Sequence, residues 1–227
     1  MARNKKQGSG QEPGSIIMRI VESIAISPED AREIVRQYDA QARAKHPNGS
    51  NEKVKKMVAN KIIKRYSKLA ATSGGVTSLA GVIPGVGTAI SMVGGGLADV
   101  SLSMKFQIDM TMCLAMALKD QLANEDAKHM SFIIALCGAL EKAGAAEGAR
   151  IASKAGVKMV EQYLKGATLT FIKELFKAVG IKFTKAATVK AIPFGVGVII
   201  GSSAGYAMTQ YVGKSARNFF LLDDELN

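Results

Sequence analysis

Two glycine clusters, two cysteines, two histidines and two helical aspartates are the residues with which this chain of 227 amino acids could do chemistry. The glycines suggest a phosphate cradle, but the spacing fails. A dinucleotide fingerprint needs GxGxxG after a strand. Gly85-Val86-Gly87 meets Ile90 at the third glycine position, and Gly195-Val196-Gly197 meets Ile200. Gly213-Lys214-Ser215 resembles the end of a phosphate loop, yet Met208 occupies the place of its first glycine. Nucleotide binding is therefore not expected. Cys113 and Cys137 lie in apolar helical contexts, TMCLAMAL and FIIALCGAL, where cysteine acts as a small buried hydrophobe. No cysteine–histidine cluster with metal spacing exists, so no metal site is expected. His46 sits in a turn beside Pro47, and His129 near a helix start, both as structural or solvated residues. Asp99 and Asp109 are ten residues apart, about 80° apart around a helix and three turns along it, which is no catalytic carboxylate pair. No nucleophile stands near a base. The reading is a protein without catalytic activity, cofactor or nucleic-acid module.

The elements that carry these residues are helical. Ser27-Pro28-Glu29-Asp30 is a helix start, with Ser27 as cap and Pro28 at the first position; the helix should run to Lys45 and stop at His46-Pro47-Asn48-Gly49. Ser50-Asn51-Glu52 starts the next, with Val54, Met57, Val58, Ile62 and Leu69 as its apolar stripe. Asn124-Glu125-Asp126 opens a later one. Strand alternation bounded by hairpin turns is absent from the pattern. The expected fold class is all-α, a compact multi-helix bundle with two central Gly-rich helical hairpins.

Those hairpins come from an internal echo. Ile83-Pro84-Gly85-Val86-Gly87 returns as Ile192-Pro193-Phe194-Gly195-Val196-Gly197 with one insertion. Small residues then recur every fourth position, Gly87, Ser91 and Gly95 in one copy and Gly197, Gly201 and Gly205 in the other. Such spacing lines one helical face and suits close helix–helix packing. Leu69 to Ala98 is uncharged for 30 residues and Ala191 to Gly213 for 23. Each run is long enough for one span of roughly 20 residues, but Gly81, Pro84, Gly85 and Gly87 break the first. Asp99, at the start of a long amphipathic stretch, either marks the helix reaching solvent or is a buried polar partner for Lys190 or Lys214.

Charge supplies the functional lead. The net charge is +11, and the first 70 residues hold 15 basic against 7 acidic side chains. A basic field draws nucleic acid, anionic lipid or an acidic protein. Lys53, Lys55, Lys56, Lys64, Arg65 and Lys68 crowd one predicted helix, with Met57, Ile62, Ile63 and Tyr66 as apolar anchors, and Lys182 and Lys185 belong to a second Lys-rich stretch, 154–190. These are the candidate membrane or anion contacts. The domain plan is a disordered tail 1–15, a basic helical arm 16–70, a helical domain 71–222 and an acidic tail 223–227.

With Ala98-Asp99, Lys105, Gln107, the LAMAL segment, Lys190-Ala191-Ile192-Pro193 and Ala216-Arg217-Asn218-Phe219-Phe220 assembled, the chain resembles the EcsC family of bacterial proteins over residues 50–222. More distantly it resembles the C-terminal helical domain of YcjF-type membrane proteins. The resemblance implies a compact helical domain linked to membranes or membrane-associated machinery, with no established enzymatic activity. The GTPase or multi-span segment that some relatives carry is not recognisable here. The leading expectation is a peripheral membrane or lipid-interacting protein of the bacterial cytoplasm, peripheral to the inner membrane. A toxin-like protein that inserts an apolar hairpin is one alternative. A helical adaptor, homo-oligomeric or bound to a membrane-protein partner, is the other.

Overall fold

Local signals fix the helix boundaries, and one buried helix fixes their arrangement. A computed structural model describes residues 12–72, 95–119, 121–145, 151–188 and 202–226. They form α1 (Pro13–Ile24), α2 (Pro28–Lys45), α3 (Asn51–Thr72), α4 (Gly95–Leu118), α5 (Asn124–Lys142), α6 (Lys154–Leu164), α7 (Thr168–Thr188) and α8 (Ser202–Leu226). The all-α expectation is met: among the described residues there is no strand. Ser27 caps α2 as anticipated. Its Oγ accepts the Asp30 backbone N–H at 3.1 Å and donates to Asp30 Oδ2 at 2.8 Å. Ser50 Oγ accepts the Lys53 N–H at 3.3 Å, and α5 opens at Asn124.

Some boundaries differ from the sequence plan. Helix α1 begins at Pro13, inside the segment read as a disordered tail, because Gly14 is buried against α7. Helix α8 runs to Leu226 and so includes most of the expected acidic tail, with Asp223 buried by an ion pair to Lys119. The expected arm 16–70 supplies three helices that bury Ile17, Val21, Val54 and Ile62 in the common core.

The largest departure concerns α4. Residues 99–122 read as amphipathic, yet α4 is buried around nearly its whole circumference, from Leu102 through Phe106 and Met110 to Leu114. Helices α1, α2, α3, α5 and α8 all pack against it. Helix α7 closes over α1 and α5, while α3 lies between α2 and α8. The faces of α3 and α7 are therefore on different sides of the central helix.

Two glycine contacts allow this closeness. A Cβ on Gly14 would stand 2.5 Å from Phe176 O and 2.7 Å from Lys177 Cα, and one on Gly180 would stand 2.8 Å from Gly14 Cα. Helices α1 and α7 thus cross backbone against backbone. Gly213 lets α8 pack its backbone against side chains of α4 and α3, where a Cβ would meet Met110 Sδ at 2.8 Å and Ile63 Cγ1 at 2.9 Å. Of the stripe anticipated on this helix, Gly205 is buried on α8. Gly87, Ser91, Gly197 and Gly201, and with them both expected hairpin turns, lie outside the described residues; Gly95 is the first residue of α4.

Gly180→Ala should cost about 3 kcal/mol, because backbone cannot yield as a side chain does. Gly138→Ala meets Val212 at ordinary contact distances, Cγ2 at 3.5 Å and Cα at 3.8 Å, and should be neutral or stabilising by up to about 1 kcal/mol. Urea denaturation of the two variants checks the contrast.

Candidate functional site

Helix α3 separates its basic residues into three groups. Val54, Val58, Ile62, Ile63 and Tyr66 turn into the core, so the residues expected as membrane anchors are unavailable, apart from half-buried Met57. Lys53, Lys64 and Lys68 are exposed on the outward face. Lys61 and Arg65 lean toward α2. Lys61 Nζ donates to Gln41 Oε1 at 2.8 Å and stands 5.2 Å from the Tyr38 ring centre. Arg65 Nη1 donates to Tyr38 OH at 3.3 Å. Half-buried Lys55 turns toward α8 instead.

There the chain forms a groove of about 420 Å³. Lys55 and Lys56 line one wall beside Asn51 and Glu52, the first residues of α3. Arg217 and Leu221 of α8 and Leu118 of α4 complete it. Arg217 is oriented by Asn60, whose Oδ1 accepts from Nη1 at 2.9 Å, and its Nε is buried with no acceptor among the described residues. The Lys119–Asp223 ion pair ties α4 to α8 next to the two lining leucines.

On another side of the bundle, α7 carries a different surface. Leu169 is 61% exposed and Ile181 is 49% exposed. The positions between them at four-residue steps are Lys173 and Lys177, both exposed. Twelve residues of helix set the two apolar side chains about 18 Å apart along the axis and about 120° apart around it, so they bracket the exposed lysines on a broad face. Exposed Lys154, Lys158 and Lys165 precede them on and after α6. Lys182 is half-buried, turned away from this face, and Lys185 lies in the last turn of α7.

The core also encloses ionisable groups. Asp99 is half-buried, and burial raises its carboxyl pKa; Lys190 lies outside the described residues. A buried ion pair joins Lys105 and Asp109, one turn apart on α4 and almost wholly enclosed. Asp109 Oδ1 also accepts the Ile26 backbone N–H at 2.9 Å, at the joint between α1 and α2. Burial pushes the Asp109 carboxyl above the usual range, against the opposing pull of Lys105 and that N–H. Cys113, one further turn along, contacts Tyr66 OH at 3.6 Å. Burial pushes both cysteine thiols up to about 12, so they stay protonated at neutral pH. His129 Nε2 lies 3.2 Å from Glu125 Oε1, one turn away on α5. Among the described residues no group of side chains is arranged to hold a metal ion. Sequence reasoning missed Lys105 and Asp109 as a pair, although opposite charges four residues apart in an apolar helix were the signal.

Neither the family models, nor the curated proteins, nor the solved structures include a match to this chain.

Lys105→Met should destabilise the fold by about 3–5 kcal/mol, since it strands a buried carboxylate, while Lys105→Met with Asp109→Leu should recover much of the loss. The raised carboxyl sets a pH signature. Between the ordinary aspartate value near 3.9 and the raised folded value, the folded state holds the proton more tightly than the unfolded chain. Its contribution is present at low pH and is lost as pH rises through the folded value. Asp109→Asn should lack that slope in denaturation curves recorded across the acidic range.

Proposed function

We propose that the protein is a non-catalytic, peripheral binder of anionic membranes that docks through the outward face of α7. The observation that carries this reading is the pairing of exposed Leu169 and Ile181 with Lys173 and Lys177 on that face. A helix lying in a membrane interface needs apolar side chains to enter the headgroup boundary and basic ones to meet lipid charge. Each basic residue near an anionic surface contributes about 1 kcal/mol. Residues 154–188 hold seven lysines and two glutamates, so the electrostatic term is favourable and salt-dependent. Glu174, exposed beside Lys173, weakens it locally.

Helix α3 fits this role less well, because its large apolar residues face the core and its outward face is purely polar. Among the described residues no helix is long and apolar enough to cross a membrane. The resemblance to membrane-linked helical domains supports the docking reading.

Co-sedimentation with vesicles of phosphatidylglycerol and phosphatidylcholine tests the reading. The chain should sediment with anionic vesicles at low salt and be released at high salt. Leu169→Asp with Ile181→Asp should reduce binding about ten-fold or more, with unchanged helicity. Equal binding to purely zwitterionic vesicles, or no loss in the double variant, would contradict it.

A further inference from the structure

The groove between α3 and α8 is a second feature, away from the proposed docking face. We propose that it binds a phosphate ester with an apolar organic part. Three cationic side chains, Lys55, Lys56 and Arg217, converge on one cavity, and Leu118 and Leu221 supply apolar wall. Its volume of about 420 Å³ falls in the range of small-molecule sites, which are typically lined by apolar groups with a few charged ones.

The charge argument selects the ligand. Lys55, Lys56 and Arg217 against Glu52 leave the lining net cationic. The groove also lies beside the N-terminal turn of α3, whose dipole favours negative charge. Arginine with lysine matches a phosphate better than a neutral or cationic group, since the guanidinium forks onto two oxygens. Arg217 is already fixed by Asn60, so its guanidinium is partly preorganised. Leu221, 47% exposed, offers apolar surface that the fold itself does not cover.

Two sources share this chemistry, a free phosphate-bearing metabolite and a lipid headgroup with its chains. Isothermal titration of the full chain with three monomeric probes separates them: inorganic phosphate, dihexanoyl phosphatidate and dihexanoyl phosphatidylcholine. The phosphatidate should bind saturably, and inorganic phosphate about ten-fold more weakly or worse, a difference of about 1.4 kcal/mol by the standard conversion. Phosphatidylcholine should bind least. Lys56→Gln and Lys55→Gln should each weaken phosphatidate several-fold. Glu52→Gln removes the opposing charge at an exposed position and should tighten it, which keeps the test decisive even where a lysine variant unfolds. Equal affinity for inorganic phosphate and phosphatidate would overturn the apolar part of the proposal. Absence of saturable binding, or insensitivity to both Glu52→Gln and Lys56→Gln, would overturn the whole. All three probes are soluble monomers, so failure of vesicle docking through α7 leaves this result separately readable.

Discussion

Helix α4 is enclosed on every side, and it carries an ion pair into that enclosure. Lys105 and Asp109 neutralise each other, and the spare Asp109 oxygen accepts the Ile26 amide. A charge buried without such partners costs several kcal/mol, so this arrangement conditions everything around it. The Ile26 contact also sets where α1 ends and α2 begins, 83 residues away in sequence. One carboxylate thus joins the central helix to the N-terminal pair, and Cys113 with Tyr66 continues the polar line toward α3.

Enclosing α4 has a consequence for function. The helices that cover it present their outer faces in different directions, so the two basic stretches cannot act as one patch. Helix α3 packs with α2 and α8, whereas α7 packs with α1 and α5. The first combines cations with a groove, and the second combines cations with protruding Leu169 and Ile181. The former chemistry suits a discrete anion and the latter an extended lipid surface.

What the sequence made legible was mostly local. The Ser27 cap, the stop after Lys45 and the starts at Asn51 and Asn124 depend on neighbouring residues alone. Cys113 and Cys137 were readable as core because their neighbours are apolar. The burial of α4 was not, since Lys105, Gln107 and Asp109 imitate a solvated face until five other helices are placed around them. The crossing at Gly14 and Gly180 joins positions 166 residues apart, one of them inside a segment that looks like a polar tail. Leu169 and Ile181 were equally hidden, because their exposure depends on which face of α7 is covered by α1 and α5. The groove needed α3, α4 and α8 together, although Lys55 and Lys56 were already evident as candidates.

Hydrogen–deuterium exchange of the full chain, with and without anionic vesicles, tests the central claim most directly. The account predicts new protection over residues 169–181 of α7, with α3 unchanged beyond the groove, over residues 60–68. Protection centred on residues 53–68 instead, with α7 unchanged, would contradict it.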